Sequence, residues 1–166
     1  MKMKPWNNRS DIEAALFNPA FCGELILHAV KAYNKNSDHE KFPYALSYLI
    51  LPFLLNADLY EALPATKRTK WITWLYDHMY LTPTIADKTK GLKEYTNEAL
   101  LLYLQLNILD LNGQAELDLG SGKMLKKLNF QRDGVDKLIK RAEFLGSWLS
   151  EAGDVVTIYS LIGITV

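Results

Sequence analysis

The sequence predicts a mainly α, single-domain protein over residues 1–166, with one small β-hairpin inside a winged-helix-like segment at about 69–119. Three observations lead there. Apolar residues recur at helical spacing along most of the chain, a single stretch around Asn112-Gly113 alternates with period two, and 49% hydrophobic residues with 9 glycines describe an ordinary globular domain long enough to bury a core.

Each element has a local reason. In Leu16-Phe17-Asn18-Pro19-Ala20-Phe21-Cys22, Asn18 is a helix cap, and Pro19 suits the first helical position because its missing N–H was unpaired anyway; the helix is read over 19–34. Residues 43–55 form a second helix, opened by Pro43, apolar on nearly every side and so buried all round, with a kink or end near Pro52. The charge-free run from Phe42 to Ala57 reaches only about 24 Å at helical rise, against the roughly 30 Å of a bilayer core, so no membrane span is predicted. Thr69 caps a third helix running to about Met79 and carrying Trp71, Ile72, Trp74 and Leu75. A short helix over 84–90 follows Pro83 and stops near Gly91, and Thr96 caps the next, through Leu106. Leu109-Asp110-Leu111, the turn Asn112-Gly113 and Ala115-Glu116-Leu117-Asp118-Leu119 then form the hairpin. Helices followed by a hairpin give the winged-helix order. A long helix over 133–152 comes next, and Asp154 caps a short terminal one over 155–162 that ends at Gly163.

Lys+Arg and Asp+Glu both number 19, so no global field draws this chain to nucleic acid or to an anionic membrane. The lone Cys22 forms no intramolecular disulfide, and Met1 is followed by no apolar signal segment; both point to the cytoplasm. There is no Gly-rich phosphate loop, no paired-cysteine or His-Glu-His metal spacing and no Gly-x-Ser-x-Gly elbow, hence no predicted catalytic residue, metal or cofactor. His28, His39 and His78 read as structural, Cys22 as a small core residue, and the carboxylates as scattered singly.

Two kinds of surface remain. Between Ala65 and Lys93 the basic residues Lys67, Arg68, Lys70, Lys88, Lys90 and Lys93 outnumber Asp77 and Asp87, six minus two giving +4, and are candidate phosphate contacts. The would-be recognition helix, 96–107, carries no Lys or Arg and is leucine-rich on every side, which places it in a core rather than in a DNA groove. A winged-helix DNA-binding regulator is thus the alternative function, and any DNA binding should be weak and indifferent to sequence. In the 133–152 helix, Val135, Leu138, Ile139, Ala142, Leu145, Leu149 and Ala152 make a core stripe. Phe144 and Trp148 lie opposite it beside Arg141, either packed on another part of the chain or exposed as a partner anchor. The terminal Ile158, Leu161 and Ile162 carry the same two readings, docking element or fold-back onto the core.

Asn18-Pro19-Ala20-Phe21, then Phe42-Pro43-Tyr44-Ala45 to Leu51-Pro52 followed by Glu61-Ala62-Leu63-Pro64, then Tyr95-Thr96-Asn97-Glu98-Ala99-Leu100-Leu101 with its Leu-Asp-Leu-Asn-Gly hairpin, and finally Thr157 to Ile164, stand in an order that covers nearly the whole chain. That order resembles the middle component of bacterial three-component ABC systems, Lamassu-type antiphage and antiplasmid defence among them. It departs from the family pattern after Gly163-Ile164, where a basic residue and proline are expected and Thr165-Val166 stand. The resemblance implies a non-enzymatic adaptor between an SMC-like ABC ATPase subunit and an effector subunit, often a nuclease, with DNA engaged only indirectly.

Overall fold

Capping side chains set most of the helix starts. The computed structural model describes residues 5–37, 41–123 and 134–165, and within them Asn18 Oδ1 accepts hydrogen bonds from the amides of Ala20 (2.9 Å) and Phe21 (3.4 Å) to open α2 (Pro19–Asn36). Ser10 does the same for α1 (Asp11–Leu16) and Asn56 for α4 (Ala57–Ala62), two helices not expected from the sequence. The expected helix over 43–55 divides: Phe42–Pro43 is strand β1, Tyr44–Leu46 a 3-10 turn and Ser47–Leu55 the helix α3, which ends one turn after Pro52. α5 (Trp71–Asp77) has Lys70 rather than Thr69 at its N-cap position and so no side-chain cap, while the Thr69 carbonyl accepts from Trp148 Nε1 at 2.8 Å.

The largest departure is α6, a continuous helix over Thr82–Gln105 where two were expected. A helical glycine costs only about 1 kcal/mol, so Gly91 does not break it, and Thr96 is a buried mid-helix residue whose Oγ1 donates to the Leu92 carbonyl at 3.1 Å. The mainly helical class stands. Over 69–119 the expected succession of helices and hairpin takes the form of α5, the 3-10 turn Met79–Leu81, the single long α6 and the hairpin, one helix fewer than expected. α7 (Val135–Leu149) and α8 (Val155–Leu161) complete the helices, α8 being capped by Asp154, which accepts from the Thr157 amide at 2.9 Å. Residue 133, the expected start of α7, lies outside the described residues.

The hairpin joins β2 (Leu109–Leu111) to β3 (Glu116–Leu119), with Leu109 opposite Leu119 and Leu111 opposite Leu117. Asn112 organises its turn, Oδ1 accepting from the amides of Gln114 and Glu116 at 3.0 and 2.9 Å. β1 adds a third antiparallel strand on the far side of β3. Asn34 of α2 ties the sheet to the helices: its amide donates to the Leu117 carbonyl at 3.1 Å and its Oδ1 accepts from the Phe42 amide at 2.7 Å.

α2 lies at the centre, packed on α3, α6 and α7. Two glycines let its neighbours approach. A Cβ on Gly23 would stand 2.1 Å from the Tyr103 ring of α6, and one on Gly146 of α7 only 2.0 Å from the Ala29 carbonyl oxygen. Trp71, Trp74, Trp148 and Phe53 form a buried aromatic cluster with ring centroids 5.2 to 5.9 Å apart, where Trp74 Nε1 donates to the Ala62 carbonyl at 2.6 Å. The N-terminal segment is pinned by a fork from Arg9 to Glu98 on α6, at 2.9 and 3.0 Å, with the guanidinium over the Trp6 and Tyr95 rings.

Candidate interaction surfaces

The partner anchor expected on α7 is not exposed as a pair. Trp148 is 1% exposed, set edge-on against Trp71 and Trp74 with its indole N–H bonded, so it is a core residue and α7 packs by the face that carries it, not by the opposite one. Phe144 is half-buried above it with ring centroids 6.1 Å apart. Arg141 is also half-buried, reaching the Pro64 carbonyl at 3.1 Å and lying over the Tyr60 and Phe144 rings. At the C-terminus Ile158, Tyr159 and Ile162 are buried, the Tyr159 hydroxyl donating to the Ala45 carbonyl, whereas Leu161 and Val156 stay exposed. α8 therefore folds back onto the core by one face and leaves the other outside.

The six basic candidates do not converge. Lys67 and Lys70 both bind the Glu151 carboxylate, at 2.9 and 2.6 Å, and the two ammonium groups pull that carboxyl down to about 2. Arg68 is exposed on the connection to α5. Lys88, Lys90 and Lys93 are exposed on α6, but at about 100° per residue Lys88 and Lys90 face opposite sides of the helix.

Carboxylates that looked solitary in sequence meet at His28. Its Nε2 lies 3.3 Å from Glu24 Oε1, its Nδ1 lies 2.9 Å from Glu143 Oε1, and the Tyr103 hydroxyl donates to Glu24 at 3.0 Å. Both ring nitrogens are engaged, which leaves none for a substrate and gives the cluster a structural role joining α2 to α7. Cys22 is buried, its thiol pushed up to about 12 by desolvation, and so is unreactive. His78 stacks on Trp74 and its Nδ1 bonds the Trp74 carbonyl at 2.8 Å, while His39 lies outside the described residues. Among the described residues no group of His, Cys, Asp and Glu is placed to hold a metal, and no helix is long and apolar enough to cross a membrane.

The His28 pair has a pH signature. Hydrogen bonding to Glu24, then to Glu143, raises the His28 pKa above 6.5, and the bond to His28 lowers that of Glu24 below 4.5. The raised group stabilises the fold below 6.5 and loses that contribution as pH rises through its folded pKa; the lowered one contributes above 4.5 and loses it as pH falls. The deficit in melting temperature of His28→Gln relative to the unaltered chain should therefore be larger near about pH 6 than near about pH 8.5, and equal deficits would exclude the linkage.

The least expected surface is on α5 and the 3-10 turn Met79–Leu81 that follows it. Ile72, Tyr76, Met79 and Tyr80 are 61%, 77%, 65% and 73% exposed, four large apolar side chains within nine residues. Scattered exposures of this kind are ordinary, but a group on one short element marks an interaction surface. The ridge is held rigidly. Trp71, Trp74 and Leu75 bury the opposite face of α5, and the stack of Trp74 on His78 (4.9 Å) continues to Tyr80 (6.0 Å). Sequence inspection found the helix and not the ridge; the available signal was that α5 is apolar on more sides than one core can cover.

Fold and surface together define a small helical domain that offers an apolar ridge. The chain belongs to the family described as ABC-three component (ABC-3C) system Middle Component 3, whose model matches residues 6–166. As a middle component of a multi-subunit system it works with protein partners. No curated protein and no solved structure matches it.

Proposed function

We propose that the protein is the non-enzymatic adaptor of a Lamassu-type complex in the bacterial cytoplasm, joining an SMC-like ABC ATPase to an effector, a nuclease, in defence against phage and plasmids. Membership of a middle-component family supports the reading, and the observation that carries it is the ridge of Ile72, Tyr76, Met79 and Tyr80. Its occupant is an apolar helix of a partner subunit. One short helix and a turn offer roughly 500 Å² of apolar surface, below the about 800 Å² per side of a standard stable interface, so the ridge is one part of a larger contact with that partner and too small to hold two copies together by itself. Leu161 and Val156 on α8, with Phe144 and Arg141 at the rim of α7, are the remaining docking candidates.

The test is Ile72→Ser with Tyr76→Ser in the chain co-expressed with the ATPase and effector subunits of its three-component system. Both side chains are exposed, so melting should shift by no more than about 2 °C, the equivalent of a surface change under about 0.5 kcal/mol. Loss of a hot spot costs on the order of 2 kcal/mol, about 30-fold in affinity for one subunit. Unchanged assembly would remove the ridge from the interface, and failure of the unaltered chain to assemble with either subunit would remove the adaptor reading itself.

A further inference from the structure

We propose that the groove between α2 and α7 is a second docking face, chemically unlike the ridge, and that it receives an acidic amphipathic helix of a partner subunit; that the helix belongs to a subunit of the complex rests on the adaptor reading. The groove follows from how the two helices meet. They run parallel, with Gly146 seated on Ala29, the His28 to Glu143 bond on one side of that contact and a 2.8 Å bond from Asn36 to Ser150 Oγ on the other. Their outer faces diverge to enclose about 610 Å³. Along α2 the lining extends from His28 to Asn36, about 12 Å at helical rise, or roughly two turns of a partner helix.

Its chemistry is arranged by position. Lys140 stands toward the N-terminal end of α7 and Lys35 toward the C-terminal end of α2, so the two ammonium groups mark opposite ends of the groove. Both are exposed, and neither forms an ion pair with a carboxylate among the described residues. Lys31, whose charge already acts on Glu24, lines the middle beside the apolar Ala32 and Phe144. The one carboxylate of the lining, Glu143, is already bound by His28. A ligand matching this pattern carries apolar side chains for Ala32 and Phe144 and carboxylates for the ends. Polyphosphate and nucleic-acid backbones match it worse, because a phosphodiester run along the groove would cross the apolar centre and pass Glu143. An amphipathic helix alternates the two chemistries at the spacing required.

The probe is a fluorescein-labelled peptide of Glu and Leu in amphipathic helical order, added to the full chain and followed by anisotropy. Binding should saturate, weaken as salt rises from about 50 mM to about 500 mM, and fall by about tenfold or more in Lys35→Glu with Lys140→Glu at unchanged melting temperature. The ridge variant Ile72→Ser with Tyr76→Ser should bind the peptide as the unaltered chain does. Absence of binding, equal affinity in the lysine variant, or loss of the peptide in the ridge variant would each overturn the groove assignment. So would tighter binding of a duplex DNA of arbitrary sequence that the lysine variant abolishes, which would make the groove a phosphate-backbone site. Because the peptide assay needs no other subunit, its outcome is independent of whether the complex assembles.

Discussion

Replacing Trp148 with Ala should lower the stability of the fold by about 4 kcal/mol, the usual scale for emptying a buried aromatic site. The side chain is 1% exposed, meets Trp71 and Trp74 at 5.2 and 5.6 Å between ring centroids, and donates its indole N–H to the Thr69 carbonyl at 2.8 Å. Truncation leaves a cavity among aromatics too large to close over it, and a buried carbonyl without its donor. At about 2–4 °C per kcal/mol for a chain of this size, the melting temperature should fall by roughly 8–16 °C. Since domains are stable by only about 5–15 kcal/mol, complex formation by this variant has to be compared at equal folded fraction, measured by its own unfolding curve. The ridge pair at Ile72 and Tyr76 should show the reverse, near-normal melting and impaired assembly. A Trp148→Ala chain melting within about 2 °C of the unaltered one would place Trp148 outside the core.

Why the sequence misplaces this residue is a matter of which face of α7 meets the core. Val135, Leu138 and Ile139 repeat at helical spacing and look like the start of a buried stripe, yet they are only half-buried, while Ala142, Leu145, Gly146, Trp148 and Leu149 are buried. The apolar residues cover more than half of the helix, so periodicity leaves its rotation open, and the position of Trp71 and Trp74 on a distant helix settles it. The same limit hides the ridge: within α5 the buried Trp71 and Trp74 and the exposed Ile72 and Tyr76 are alike in hydropathy, and only the elements packed on one side tell them apart. Glu24 and His28 are one turn apart on α2, but Glu143 lies over a hundred positions further along the chain and joins them only through the α2–α7 contact.

Short-range chemistry, by contrast, was legible. Asn18 and Asp154 cap the helices they were expected to cap, and Asn112 builds the turn between Leu109–Leu111 and Glu116–Leu119. Gly91 and Thr96 misled for a definite reason. Each is weakly unfavourable inside a helix and favourable at an end, so a local reading places helix ends there, but the burial of Ile85, Tyr95, Ala99 and Tyr103 along one face of α6 outweighs about 1 kcal/mol of propensity. β1 has only two residues and carries no period; its pairing with β3 depends on Asn34 holding the Phe42 amide.

The two helical glycines Gly91 and Gly146 should answer the same substitution with opposite signs. Intrinsic propensity alone favours Ala at both by about 0.5–1 kcal/mol. At Gly91 a Cβ meets nothing within 4 Å, so Gly91→Ala should raise stability by about that amount. At Gly146 the Cβ would lie 2.0 Å from the carbonyl oxygen and 2.7 Å from the carbonyl carbon of Ala29, backbone atoms that no rotamer change can move aside. α2 and α7 must then separate at their closest point, which should cost about 3 kcal/mol net, toward the upper end of what overpacking costs in a core. The displacement also opens the floor between Ala32 and Phe144 and stretches the 2.9 Å bond from His28 to Glu143, so the folded fraction of Gly146→Ala should lose the pH dependence carried by His28 and bind the acidic peptide less tightly. Chemical unfolding of the two variants side by side is decisive: if Gly146→Ala stabilises the chain as Gly91→Ala does, the helices are not in contact there, and the groove built on that contact does not exist in this form.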